Sequence, residues 1–155
     1  MDDYLQIGRQ FGLFLRRADR FYCDLKIGDA GISLDRAAYL LLGRIVTDGP
    51  ARLSVLADDL QLDLSTISRQ VAALEAAQLV ARTPDSADRR ASVIAATEIG
   101  TDVYSRNKDI WLAALRDLLA DWSPSERSEF ARLFTRFNES IAAHAGGGMR
   151  QEITT

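Results

Sequence analysis

The chain has little of what metal or redox chemistry needs: one cysteine and one histidine in 155 residues. A lone Cys23 excludes an internal disulfide, and with His144 as the only imidazole no zinc-ligand set can be assembled. No metal or cofactor is therefore expected. No apolar run approaches the ~20 residues that a bilayer span requires. The opening MDDYLQIGRQ is acidic, with no apolar stretch behind it, so the chain reads as a cytoplasmic protein with no membrane partner. Positive charge is not in excess either. The formal net charge is −3, which excludes a surface coated with cations for sequence-blind nucleic-acid binding. There is no nucleophile motif, phosphate-cradling glycine loop or metal spacing, so no catalytic residue is assigned and an enzyme is not expected.

What is present is helix. Nearly half the residues are hydrophobic, 47%, enough for one domain with a core, here expected over residues 1–145. From residue 2 to about 26, Tyr4, Ile7, Phe11, Phe14, Leu15, Ala18, Phe21, Tyr22 and Leu25 recur at steps of three and four. They make one wide apolar face, and Gly28 and Gly31 are expected to end the helix. Ser33 is the expected N-cap of a second helix that carries Ala37, Leu40, Leu41 and Ile45 and stops at TDGP, residues 47–50. Two short amphipathic helices follow, at 53–60 and about 64–77, separated by Gln61, Leu62 and Asp63 alone. That spacing is a helix-turn-helix signature.

The stretch LVARTPDSADRRASVIAAT comes next. Two extended apolar segments, 79–83 and 91–96, flank a turn-rich tip and predict a β-hairpin. A hairpin directly behind a helix-turn-helix makes a winged helix, here about 33–97. Thr97 is expected to cap a fifth helix running to about residue 122. Ser123, Pro124 and Glu126 form a capping box for a sixth, with Phe130, Leu133, Phe134, Phe137 and Ile141 at near-heptad spacing. Residues 146–155 read as a flexible tail. The fold class is thus mainly α, a winged helix-turn-helix in the order of four helices, a β-hairpin and two helices.

The fourth helix, within DLSTISRQVAALE, carries the functional signal. On a helical wheel Ile67, Val71 and Leu74 converge on the core side. Ser65, Arg69, Ala72, Ala73 and Ala76 lie opposite, with Thr66 and Ser68 on the flanks. A helix entering a DNA major groove needs small residues that let its backbone approach and short polar groups at its start. Arg69 offers a bidentate fork to guanine. At the hairpin tip Asp88, Arg89 and Arg90 place two guanidiniums far from the core, suited to a minor groove. Asp88 is expected to hold an arginine in place through a carboxylate pair. Between residues 52 and 90 there are five basic side chains (Arg52, Arg69, Arg82, Arg89, Arg90) against six acidic ones. Affinity must then come from placement and from using the module twice.

These residues resemble the MarR (multiple-antibiotic-resistance regulator) family of bacterial winged-helix transcription factors, over essentially the whole chain up to the tail. LSVLADDLQLDLSTISRQVAALEAAQLVAR is similar to the family's helix-turn-helix, and DRRASVIAAT to its wing, with Asp88 and Arg90 as the wing pair and Arg89 between them. The family's wing usually has Leu where Ala96 stands here, and the turn after its recognition helix commonly has Gly where this chain has Gln78.

The resemblance implies a homodimer formed by the first and last helices, about 2–26 and 98–145, acting on double-stranded DNA at a pseudo-palindromic operator. The implied DNA-binding set is Ser65, Thr66, Ser68, Arg69, Arg82, Asp88, Arg89 and Arg90. The dimerisation set is Tyr4, Ile7, Phe11, Phe130, Phe134, Phe137 and Ile141. Repression relieved by a small aromatic effector is the family default, with no ligand residue assigned here. Tyr39 on the second helix is either a pocket wall or core. Two alternatives stand beside this reading: a redox-sensing regulator acting through Cys23, and a winged helix that contacts protein instead of DNA.

Overall fold

The computed structural model describes residues 2–24 and 35–146. Contacts divide the chain into two compact units, Met1–Ala114 and Leu115–Thr155. The elements run α1 (Asp3–Asp24), α2 (Arg36–Asp48), α3 (Leu53–Leu60), α4 (Leu64–Ala76), β1 (Val80–Pro84), β2 (Ser92–Ala96), α5 (Glu98–Leu118) and α6 (Pro124–Gly146). This is the expected order. No described helix is long and apolar enough to cross a membrane.

In the first unit, α1 starts where the Asp2 carboxylate accepts the Tyr4 N–H at 3.0 Å, satisfying one orphan donor of the first turn. Gly28, Gly31 and Ser33 lie outside the described residues. The described cap of α2 is Asp35, which accepts the Ala38 N–H at 2.7 Å. Leu40 is 53% exposed, while Leu41 and Leu42 are fully buried. Three consecutive leucines occupy three directions on a helix, and the one facing away from α3 and α4 stays outside. Gly49, at φ 91°, ends α2 in a conformation open to glycine.

The core gathers Leu41, Leu42 and Ile45 from α2, Leu56 from α3, Ile67, Val71 and Leu74 from α4, and Leu79, Val80 and Ile94 from the hairpin. Burying a side chain of this size contributes about 1.5–3 kcal/mol, so these contacts fix the angle between the helices and the hairpin. The strands pair antiparallel from Val80↔Ala96 to Pro84↔Ser92. Pro84 therefore belongs to β1 instead of the turn, at the strand end where a missing N–H disturbs the ladder least. Ala51 adds a short bridge to β2: its N–H donates to the Ile94 carbonyl at 3.2 Å and its carbonyl accepts the Ile94 N–H at 2.8 Å.

Thr97 caps α5 as expected, its hydroxyl accepting the Gly100 N–H at 2.9 Å. The same hydroxyl donates to the Gln78 carbonyl at 2.7 Å, and the Thr97 N–H donates to the Leu79 carbonyl at 3.0 Å. The exit from the wing is thus stitched to the end of α4. On α2, Tyr39 stacks on Tyr104 of α5 with centroids 5.3 Å apart. Burial, followed by the neighbouring Tyr104, pushes the Tyr39 phenol up to about 12, as suits a core-side aromatic.

In the second unit the capping box forms as read from sequence. The Ser123 N–H donates to Glu126 Oε2 at 2.7 Å, and the Glu126 N–H returns to Ser123 Oγ at 3.3 Å. Trp122, Phe130 and Phe134 then make an aromatic row, with centroid spacings of 5.3 and 5.5 Å.

Candidate nucleic-acid interface

The recognition face is built by α4 and its cap. Asp63 accepts the Thr66 N–H at 2.8 Å and the Thr66 hydroxyl at 2.6 Å; Ser65 also donates its hydroxyl to this carboxylate. These bonds hold the Asp63 carboxyl far below the usual aspartate range, the Ser65 hydroxyl contributing most. The polar cluster at the start of α4 is therefore organised by Asp63, with Ser65 and Thr66 as donors to it. Each hydroxyl keeps lone pairs for a further donor.

Burial sorts α4 as the wheel requires. Ile67 and Val71 are fully buried and Leu74 is 1% exposed. Ser65, Ser68, Arg69, Ala72, Ala73 and Ala76 are exposed, and Thr66 is half-buried. The exposed face is small and polar and carries one guanidinium, whereas a face meant for protein contact alone would be apolar or acidic. The end of α4 closes with two backbone bonds: Gln78 N–H to Glu75 O and Leu79 N–H to Leu74 O, both 2.9 Å. This is a Schellman motif with Gln78 at φ 60°, the left-handed position that glycine usually fills. Gln61 plays the same part at the end of α3, at φ 52°.

At the wing tip Arg89 and Arg90 are exposed. Asp88 does not act as expected. Its carboxylate accepts the backbone N–H of Arg90 at 3.0 Å, and among the described residues it holds no guanidinium. Asp88 shapes the turn that presents the arginines, as aspartate does in tight turns. Arg82 is exposed but paired: its Nε lies 3.2 Å from Glu75 Oε1, tying β1 to α4.

Pairing resolves the unpromising charge count. Asp59 is held by Arg44 at 2.6 Å, Glu75 by Arg82, Asp85 by Arg52 at 2.7 Å, and Asp63 caps α4. Among the described residues Arg69, Arg89 and Arg90 have no acidic side-chain partner. Apart from Asp58, which is exposed on α3, the module's acids are engaged in structure, and three arginines remain on its exposed face. The Arg52–Asp85 pair was not anticipated, because nothing in the local pattern links positions 33 apart.

The dimerisation set falls on exposed or half-buried positions. Tyr4 is 85% exposed, Ile7 54% and Phe11 36% on α1; on α6 Phe130 and Ile141 are exposed to a similar degree, and Phe137 is half-buried. Cys23 lies on the backbone of α1, but its side chain is outside the described residues, as are those of Tyr22 and Leu25. Among the described residues no cluster of ligating side chains suits a metal ion.

Comparison with known proteins completes the description. The family model for the MarR family matches residues 34–92, which spans α2 to the start of β2. The HTH-type transcriptional regulator YxaD of Bacillus subtilis (strain 168) is 38% identical over 128 residues, covering 83% of this chain and 87% of that protein. The crystal structure of MarR superposes with a TM-score of 0.74 at 22% identity, covering 91% of this chain and 94% of that one. Streptococcus pneumoniae FabT, solved in complex with DNA, gives 0.75 at 16% identity, covering 89% and 96%. The two solved structures share the winged-helix fold. The chain belongs to the MarR family, whose members are transcriptional regulators and not enzymes.

Proposed function

We propose that this MarR-family regulator binds double-stranded DNA as a homodimer at a pseudo-palindromic operator. The observation that carries this is the exposed, small-residue face of α4 with Arg69, beside a wing whose Arg89 and Arg90 have no acidic side-chain partner among the described residues. In this reading α4 enters the major groove, and Arg69 forks onto a guanine edge. Ser65, Thr66 and Ser68 contact phosphates or bases near the helix start, and the wing arginines follow the adjacent minor groove. Arg82 and Asp88 serve as positioning residues, through Glu75 and the turn.

A second copy covers the apolar faces of α1 and α6. Exposed aromatics at Tyr4, Phe11 and Phe130 support this, because apolar surface left in water on that scale marks an interaction site. Two modules related by a twofold axis then read half-sites about one duplex turn apart, ~34 Å. Repression, relieved by a small aromatic effector, and action in the cytoplasm follow the family pattern.

The test is a titration of DNA from the chain's own upstream region with the parent, Arg69→Ala and Arg90→Ala. Arg69→Ala is expected to cost about 1–3 kcal/mol at the cognate base and to relax preference there. Arg90→Ala lowers affinity evenly across sequences and makes the salt slope shallower. Superimposable curves for all three proteins would overturn the assignment. A monomer by sedimentation at micromolar concentration would overturn the dimer.

A further inference from the structure

We propose that Arg52 and Asp85 form a strap that sets the wing for DNA, so that Asp85, an acid on the DNA-facing hairpin, promotes binding. This rests on the DNA-binding reading above.

Arg52 occupies the N-cap position of α3 but makes no side-chain capping bond there. Its guanidinium reaches across to the wing instead, with Nε and Nη2 each 2.7 Å from Asp85 Oδ2. Asp85 is the first residue beyond β1. Its Oδ1 accepts the Ala87 N–H at 2.8 Å, and its own N–H donates to the Ala91 carbonyl at 3.0 Å. One carboxylate therefore closes the tip and ties it to α3. Just before Arg52, Ala51 bridges Ile94 through two backbone bonds, so residues 51 and 52 run as a short rail beside β2. The Asp85 side chain is 14% exposed and that of Arg52 44%, which places the pair partly out of solvent.

The strap answers a mechanical problem. A two-stranded hairpin is marginal alone, and the segment carrying Arg89 and Arg90 extends past the last strand pair, Pro84↔Ser92. Without a fixing contact these arginines would have to be ordered on binding, which costs affinity. Arg52 is the fixing contact. Because Asp85 neutralises it, Arg52 contributes little net charge to phosphate attraction.

Electrostatics alone predicts the opposite sign. If Asp85 were only a negative charge near phosphates, removing it would tighten binding. If Arg52 were itself a phosphate ligand, removing Asp85 would free it and tighten binding further. Asp85→Asn decides, because the amide oxygen keeps the turn bond to Ala87 while the ion pair weakens. Operator binding is measured at several salt concentrations for the parent, Asp85→Asn, Arg52→Ala and the double variant Arg52→Ala/Asp85→Asn, with a thermal midpoint for each.

Expected are about five- to tenfold weaker binding for each single variant and a double variant no worse than either. The salt slope of Asp85→Asn should match the parent. Tighter or unchanged binding by Asp85→Asn overturns the strap while leaving the DNA reading intact. So does a double variant whose loss equals the sum of the two single losses, since partners in one contact do not add. A parent that shifts no operator fragment overturns the DNA reading and the strap with it.

Discussion

Gly100 lies so close to the carbonyl of Leu79 that a Cβ on it would sit 1.9 Å from that oxygen. The oxygen also accepts the Thr97 N–H, so the first turn of α5 rests directly on the backbone leaving α4. Neither partner can give way, since one is helix backbone and the other a bonded carbonyl. Gly100→Ala is expected to destabilise the fold by about 3 kcal/mol, the upper end of overpacking costs. Urea denaturation with two probes checks it, and a loss under about 1 kcal/mol would mean that the two segments separate more readily than this packing implies.

Gln78 holds a left-handed conformation at φ 60° and is exposed. A side chain there costs about 1–2 kcal/mol, partly offset because glycine loses more entropy on folding. Gln78→Gly is therefore expected to raise stability by about 1 kcal/mol, with operator affinity unchanged because Gln78 faces no proposed contact. Gln61→Gly should add a similar increment at the end of α3, where φ is 52°. Equilibrium unfolding of both singles and the double measures each term. A fall in stability for Gln78→Gly would mean that its side chain contributes more than the strain it imposes.

The helices were legible because their signals are local. The stop of α3 at Leu60, the core stripe Ile67–Val71–Leu74, the Ser123 box and the Thr97 cap each depend on neighbours within four residues. The departure of Gln78 from the usual glycine was legible too, and its left-handed backbone follows from the turn it occupies. Which of the adjacent Leu40, Leu41 and Leu42 stays outside was not legible, because a run of three leucines fits two rotations equally well. The turn role of Asp88 and the Arg82–Glu75 and Arg52–Asp85 pairs were not legible, for another reason. Which acid meets which arginine is decided by tertiary approach between hairpin and helices, and sequence spacing carries no record of it.

The carboxyl of Asp63 is held low by the Ser65 and Thr66 hydroxyls and the Thr66 N–H. A depressed folded pKa contributes stability that is full above the ordinary aspartate value, 3.8. It declines below that value and is gone once pH has fallen through the lower folded pKa. Asp63→Asn keeps one acceptor for the cap but cannot titrate. The stability gap between parent and Asp63→Asn should stay constant from pH 7 to 5, then narrow below 4. A gap that is independent of pH down to 2 would show that the charge contributes nothing to holding the start of α4.

Asn107, on α5, is fully buried, and neither its Oδ1 nor its Nδ2 has a hydrogen-bond partner among the described residues. It lies one turn beyond Val103, which is 6% exposed and belongs to the core cluster. An amide in such a place forfeits its hydration without replacing it, at a cost of about 1–3 kcal/mol. Leucine has the same branched skeleton and no polar atoms, so Asn107→Leu should stabilise the folded chain by about that amount, read as a higher urea midpoint at unchanged m-value. The opposite outcome would be as informative. If Asn107→Leu is less stable, the amide is bonded in solution by a buried water, because a group with no accessible surface in the single chain cannot be reached by a second one.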